Sequence, residues 1–280
     1  MSQNLNSPSP MQPLSIGNVV TAGLRIYRSH LKSYFLLALK AYVWLLVPVY
    51  GWAKFGAISG LLSRLVFGEL VNQPESIESG SRYVNSKLWQ FLLTAILMFL
   101  IALGIGIGFI VVVGVLVAII GGLSSTGNTA AIAIASLVAI VAFIALLIGL
   151  LWLLARFFVV EVPLAIEEDV NANSTIGRSW ELTKGYAWRI LGISFIAYLI
   201  TLPIQIAVQI AINIIQLVYA LLLQQDSPLF AVLSAALFLA LSFLGGAIVL
   251  PFWQAIKAVV YYDIRTRKEG MGLKLRGRNI

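Results

Sequence analysis

The chain has 280 residues, of which 60% are hydrophobic and 11% are charged, and its formal net charge is +8. Soluble globular domains are roughly 45–50% apolar, so this composition excludes an ordinary soluble domain. Cysteine is absent, which excludes disulfide bonds and thiol chemistry. The basic residues are confined to a few segments, so the charge does not indicate a nucleic-acid-binding surface, and no nucleic acid is expected as a partner.

The N-terminal residues 1–13 are polar and rich in Ser, Asn and Pro, which predicts a disordered tail. They lack the basic and then apolar pattern of a signal peptide. An amphipathic helix is predicted at about 15–30, and two more at about 75–87 and 174–187. The apolar stripe of the third helix consists of Ile176, Trp180, Thr183 and Ala187. Such helices either lie in the headgroup plane of a membrane or are cytosolic connectors packed on a bundle.

The first apolar region, residues 34–67, has basic segments on both sides, so both of its ends are expected on the same side of a membrane. It breaks around residues 48–51, and each half is near the lower length limit for a spanning helix. Lys40 and Lys54 make a double crossing costly unless they reach the interface or face the bundle interior. We favour two crossings here, and the alternative is a re-entrant hairpin.

Two longer segments are almost free of charge. Residues 88–155 contain no Asp, Glu, Lys, Arg or His, and residues 190–256 contain only Asp226. About 20 apolar residues span a bilayer, so each segment is long enough for a helical hairpin with a turn at its far end. The predicted spans are about 90–120, 130–158, 189–222 and 229–260. The fold class is therefore an all-α, multi-pass transmembrane bundle of about six spans.

The distribution of Lys and Arg predicts the orientation. The turns at 121–128 and 224–228 contain neither residue, whereas all nineteen basic residues lie elsewhere. Because basic loops stay in the cytoplasm, both termini are expected there, and the two bare turns outside. The predicted location is a membrane that the chain crosses several times.

An internal repeat is indicated at an offset of 99 residues. Glu69 and Glu168, and likewise Trp89 and Trp188, stand at equivalent positions. Each unit would be an amphipathic helix followed by a transmembrane hairpin. The predicted organisation is a transmembrane domain at 14–264, with repeat units of about 14–68, 69–167 and 168–264, and a basic cytoplasmic tail at 265–280.

No sequence motif of an enzyme, a metal site or a cofactor site is present, so no enzyme activity and no cofactor are expected. Three sets of residues are candidates for function. A polar face on one predicted span would line a solute path or join helices by hydrogen bonds; it consists of Gln205, Gln209, Asn213 and Gln216. Cations near helix ends would anchor the bundle, with Glu161 and Asp263 as possible partners; they are Lys54, Arg156 and Lys257. Cations in the basic segments are candidate contacts for lipid headgroups; they are Arg25, Arg28, Lys32, Arg178, Lys184, Arg265, Arg267 and Lys268.

Three passages resemble a family of bacterial multi-pass proteins. They are residues 22–30 (AGLRIYRSH), 176–188 (IGRSWELTKGYAW) and 261–270 (YYDIRTRKEG). The chain is similar over most of 15–270 to the glycerophosphoryl diester phosphodiesterase membrane domain and to related uncharacterised six-helix membrane proteins. That family takes its name from members in which the domain is fused to a catalytic barrel. No such barrel is expected within these residues, so the resemblance implies a fold and a membrane location, not hydrolysis.

The sequence favours a non-enzymatic integral membrane protein with a membrane-organising or accessory role. Its expected partners are membrane lipids, anionic ones above all, and other membrane proteins. The alternative is a small-solute transporter or permease component that uses the polar face, since repeats are common in transporters. A membrane enzyme acting on lipids is a weaker third hypothesis.

Overall fold

The computed structural model describes residues 14–222 and 228–270, and within them every regular element is a helix. The helices are α1 (Ile16–Ser29), α2 (Leu31–Trp44), α3 (Tyr50–Leu70), α4 (Ile77–Ser86), α5 (Leu88–Ser124), α6 (Thr129–Arg156), α7 (Glu161–Ile166), α8 (Ala172–Thr183), α9 (Ala187–Leu222) and α10 (Pro228–Glu269). The predicted tail at 1–13, the turn around Asp226 and the cations Lys274, Arg276 and Arg278 lie outside the described residues.

Four helices are long and apolar enough to cross a membrane, and they confirm the four spans predicted from the uncharged segments. They are α5, α6, α9 and α10. α5 has 37 residues, about 55 Å of helix, whereas the hydrocarbon core of a bilayer is about 30 Å thick. The most apolar stretches of α5 and α6 are not buried within the protein at all. Each helix therefore extends beyond the thickness of the bilayer, and lipid is the natural environment of its middle.

The buried core lies at one end of these four helices. We call this part the base; it comprises α1–α4, α7 and α8 together with the start of α5, the end of α6, the start of α9 and the second half of α10. Core side chains from these segments include Leu61, Phe91, Ile193 and Ile256. Helices approach closely where glycine permits it: a Cβ on Gly60 would stand 2.6 Å from the Phe91 ring. The base is thus a packed helical unit from which two apolar hairpins project.

The three predicted amphipathic helices are present as α1, α4 and α8, and side-chain caps define where they begin. Ser15 and Ser76 each accept a hydrogen bond from a backbone amide of the first turn. Asn171 caps α8 in a capping box with Ser174. Caps of this kind satisfy amides that have no partner inside the helix, so the starts of these helices follow from local sequence.

The buried face of α8 differs from the predicted stripe. Ile176 is half-buried and Trp180 is exposed, whereas Thr175 and Ser179 face the core. The Thr175 hydroxyl donates to the carbonyl of Val160, just beyond α6, at 2.5 Å, and the Ser179 hydroxyl donates to the carbonyl of Arg156, at the end of α6, at 2.9 Å. Carbonyls at a helix end lack partners within the helix, and this requirement places the polar face of α8 inward.

The hairpin α2–α3 is shorter than the four spans. α2 has 14 residues, about 21 Å of helix, and most residues of α3 from Ala57 to Gly68 are buried in the base. The turn between them exposes the apolar side chains Leu46, Val47 and Val49. Four spans are confirmed, and a fifth and sixth are not.

The repeat is visible only in the positions of two helix starts. α5 begins at position 88 and α9 at position 187, which are 99 residues apart, and Trp89 and Trp188 are both exposed. The preceding helices α4 and α8 begin at positions 77 and 172, an offset of 95. The repeat therefore stays a prediction.

Candidate functional site

The eight cations predicted to contact lipid headgroups fall into three groups in the base. Arg25, Arg28 and Lys32 are exposed on α1 and α2, and their side chains have no ion-pair or hydrogen-bond partner among the described residues. Lys184 is exposed directly after α8, and Lys268 is exposed near the end of α10. The remaining three, Arg178, Arg265 and Arg267, are paired with acids of the protein itself. The prediction of lipid contact stays untested for all eight, but only the first two groups have ammonium or guanidinium groups free of carboxylate partners.

The first cluster of paired cations joins α8 to α10. Arg178 contacts Glu167 at 3.1 Å and Glu269 at 2.5 Å, and Arg265 contacts Glu269 at 2.8 Å. The Tyr261 hydroxyl also donates to Glu167. Burial by itself lowers the pKa of Arg178, but the charges of Glu167 and Glu269 and their hydrogen bonds raise it above its ordinary value. This cluster fixes α8 against the last turns of α10.

The second cluster is centred on Asp263, which is 1% exposed. Arg189 approaches its carboxylate at 2.9 Å and Arg267 at 3.1 Å, and the Leu14 amide donates to it at 2.7 Å. Both arginines also donate to the Leu14 carbonyl. One carboxylate therefore connects the segment before α1 with α9 and α10. Because α10 continues to Glu269, the first residues of the predicted tail at 265–280 belong to the packed base.

The three helix-end cations have three different environments. The Lys54 ammonium donates to the Asn85 side chain at 2.9 Å on the surface of the base. Arg156 is buried, and its guanidinium lies over the Trp180 ring at 4.2 Å from the ring centroid. Lys257 pairs with Glu161 at 2.6 Å, as the sequence suggested, whereas Asp263 pairs with other cations.

The Glu161–Lys257 pair is part of a connected polar site. The Gln254 amide donates to Glu161 at 2.9 Å, and the Ser63 hydroxyl donates to the Gln254 side-chain oxygen at 2.7 Å. Lys257 stands 29 residues along α10 from Pro228, about 44 Å of helix, which exceeds the hydrocarbon thickness of about 30 Å. The pair therefore lies in the half of α10 that belongs to the base.

Two cavities open on opposite sides of this polar site and share Leu250, Gln254 and Lys257. The larger, of about 600 Å³, lies between α9 and α10 and is lined by Gln205 and Gln209. Of the other two residues of the predicted polar face, Asn213 accepts a hydrogen bond from Gln209 at 3.0 Å, and Gln216 does not line the cavity. Two of the four residues of the predicted polar face, Gln205 and Gln209, thus line a cavity that extends to Lys257 of the Glu161–Lys257 pair.

The smaller cavity, of about 410 Å³, is bounded by α3, α5, α7 and α10. Its wall is largely aromatic and apolar, with Phe55, Phe91 and Met98, and Glu161 and Lys257 provide its charge. The Ser59 hydroxyl lines it and has no hydrogen-bond partner. Ser59, Ser63 and Gln254 could not be singled out from the sequence, because they are isolated polar residues of apolar helices.

No cluster of three or more His, Cys, Asp or Glu side chains that could hold a metal occurs in residues 14–222 and 228–270. Several charged groups of the base instead pair with one another. In one further pair, Arg64 contacts Glu75 at 2.5 Å. Burial alone would raise the pKa of Glu75, but hydrogen bonds from Arg64 and Ser79 and the charge of Arg64 lower it below its ordinary value.

The chain belongs to a family defined by a domain of unknown function (DUF7847), whose model matches residues 38–264. This match confirms the prediction of an uncharacterised family and provides no link to the glycerophosphoryl diester phosphodiesterase membrane domain. Comparison with curated proteins and with solved structures finds no match.

Proposed function

We propose that this protein binds anionic lipid at the charged surface of its base and serves a membrane-organising or accessory role without catalysing a reaction. One observation carries the proposal: Arg25, Arg28 and Lys32 are exposed and unpaired in the described structure, whereas most other arginines of the base have an acid. A cation near an anionic leaflet contributes about 1 kcal/mol, so three contribute up to about 3 kcal/mol before screening by salt.

The surroundings of these cations support a position at the membrane surface. Beyond Lys32, the exposed residues of α2 are Leu36, Lys40 and Val43, and the exposed side chains of the turn after α2 are apolar. The Lys40 side chain is long enough to reach the headgroup region while its stem lies among apolar groups. An amphipathic segment with cations at one end and apolar side chains at the other fits the boundary between headgroups and acyl chains. We therefore propose that α2–α3 enters one leaflet as a re-entrant hairpin and does not cross twice.

The base is proposed to lie on the cytoplasmic side of a bacterial inner membrane, with both termini there, because the Lys and Arg residues are concentrated in it. The repeat of three units fits the 99-residue spacing of the starts of α5 and α9. A relationship to the glycerophosphoryl diester phosphodiesterase membrane domain is a hypothesis that rests on three sequence passages. Two of these passages contain Arg178 and Asp263, which belong to the ion-pair clusters of the base. The resemblance therefore involves residues that hold the helices of the base together.

The experiment uses the tryptophans of the chain and brominated lipids, which quench tryptophan fluorescence on contact. The full protein is reconstituted in phosphatidylcholine with increasing brominated phosphatidylglycerol. The variant R25Q/R28Q/K32Q should need a higher fraction of phosphatidylglycerol for the same quenching, and R25K/R28K, which keeps the charge, should behave as the wild type. Equal quenching curves for the neutral and charged variants would refute the proposal.

A small-solute path is a second candidate function, and a separate observation favours it. Gln205 and Gln209 line the 600 Å³ cavity that reaches Gln254 and Lys257. Polar groups on a mostly apolar wall are typical of small-molecule sites. In proteoliposomes, Q205L/Q209L should abolish the flux of a transported solute, whereas R25Q/R28Q/K32Q should preserve it. Flux that is unchanged in Q205L/Q209L would exclude this path.

A further inference from the structure

Three cations converge on the last turn of α8, where α6 ends. The Thr183 hydroxyl donates to the carbonyl of Arg156 at 3.1 Å, which places the end of α6 against α8. Lys184 follows Thr183 directly in the chain. The Lys268 ammonium donates to the carbonyl of Glu181 at 2.6 Å, on the same turn. The charges of Arg156 and Lys184 both act on Lys268, so the three cations share one electrostatic environment.

The guanidinium of Arg156 has no counter-charge in the described part of the protein. The residue is 2% exposed, its Nε atom has no hydrogen-bond partner, and no described carboxylate pairs with it. Trp180 and Trp152 contact its guanidinium, with ring centroids at 4.2 Å and 5.4 Å. Cation–π contact offsets part of the cost of burying a charge, but a buried cation is normally both paired and hydrogen-bonded.

Other arginines of the base have the carboxylate partner that Arg156 lacks. Arg64 has Glu75, Arg178 has Glu167 and Arg189 has Asp263, each within 3.1 Å. The acid whose charge acts on Lys268 is Glu181, which is exposed. Its single negative charge is fewer than the three positive charges of Arg156, Lys184 and Lys268. The protein therefore builds a site of positive charge and leaves the anion to be supplied from outside.

The chemistry of the donors selects the anion. A guanidinium binds phosphate through a planar fork, and lysine ammonium groups add point charges. The two tryptophans beside Arg156 suit the interfacial region of a bilayer, where such rings are enriched. We propose that Arg156, Lys184 and Lys268 bind one phosphate group, carried either by a phospholipid headgroup or by a free phosphate ester. This site is separate from the Arg25, Arg28 and Lys32 surface and does not depend on it.

The test is native mass spectrometry of the full chain in detergent. One arm adds phosphatidylglycerol, and the other adds glycerophosphoglycerol, which has the same phosphodiester without acyl chains. We expect one equivalent to bind saturably in at least one arm, and binding in both arms would identify the phosphate ester itself as sufficient. K184Q/K268Q should bind at least about tenfold more weakly, as expected for losing two charged contacts. K54Q/R82Q is the control with the same change in charge at two surface cations outside both proposed lipid sites, and it should bind as the wild type.

A second variant addresses the buried arginine directly. R156M removes the unpaired charge, so without a phosphate compound its melting temperature should be no lower than that of the wild type. Phosphatidylglycerol should raise the melting temperature of the wild type more than that of R156M, which keeps only the Arg25, Arg28 and Lys32 surface. The proposal is overturned if no saturable binding occurs in either arm, if K184Q/K268Q binds like the wild type, or if both proteins gain the same stability from the lipid.

Discussion

Replacing Asp263 should separate the base from the start of the chain. The carboxylate accepts hydrogen bonds from the Leu14 amide and from two arginines, and D263N keeps its size while removing its charge. Removing one partner of a buried ion pair costs about 3–5 kcal/mol. Arg189 and Arg267 remain 21% and 25% exposed at the side chain, so water compensates part of this loss. We therefore expect D263N to lower the free energy of unfolding by about 2–4 kcal/mol.

The measurement is reversible unfolding in mixed detergent micelles, followed by circular dichroism. The matched control is E78Q, because the Glu78 and Arg82 side chains are 85% and 78% exposed and stand 4.0 Å apart. An exposed pair of this kind contributes about 0–1 kcal/mol, so E78Q should unfold close to the wild type. If D263N loses no more stability than E78Q, the Asp263 cluster does not hold the base together.

Three further predictions concern other parts of the base. Because the pKa of Glu75 is lower in the folded protein than its ordinary value of 4.5, its ionised carboxylate stabilises the fold at neutral pH. This contribution is lost as the pH falls below 4.5 and through the lower folded pKa. E75Q should therefore be less stable than the wild type at pH 7, and the difference in unfolding free energy should disappear in acid. G60A should destabilise the base by about 1–3 kcal/mol because its methyl group meets Phe91, whereas G104A, which has open space, should not lose stability in the same unfolding titration. E161Q should leave Lys257 without its acid and lower the melting temperature more than K54Q does, because Lys54 makes only a surface hydrogen bond. An equal effect of the two substitutions would contradict a stabilising role of the half-buried Glu161–Lys257 pair.

The parts of this fold that the sequence predicted are those fixed by local pattern. The uncharged segment of 68 residues predicts two apolar helices long enough to cross a membrane, and α5 and α6 are such helices. Of the predicted α8 stripe, Thr183 and Ala187 are buried, whereas Ile176 is half-buried and Trp180 is exposed. In the structure Thr175 and Ser179 face inward because carbonyls at the end of α6 need donors.

The ion pairs of the base could not be predicted from spacing. Arg178 and Glu269 stand 91 positions apart, and only the packing of α8 against α10 brings them within 2.5 Å. The sequence therefore presented Arg178, Arg265 and Arg267 as equal to Arg25 and Arg28, although the first three are paired and the last two are exposed. The spacing of Gln205 and Gln209 predicted that they share one face of a helix, and this face borders the larger cavity. The extension of that cavity to Gln254 depends on the position of α10, which spacing does not reveal.

The most direct test of this account is the orientation of the base, since both lipid proposals require it to face the anionic cytoplasmic leaflet. Because the chain has no cysteine, single cysteines can be placed at Ser79 in α4 of the base and at Ser125 in the turn between α5 and α6. An impermeant maleimide applied to intact cells should label the cysteine at position 125, and it should label the cysteine at position 79 only after the membrane is permeabilised. Labelling at position 79 but not at position 125 in intact cells would contradict the account.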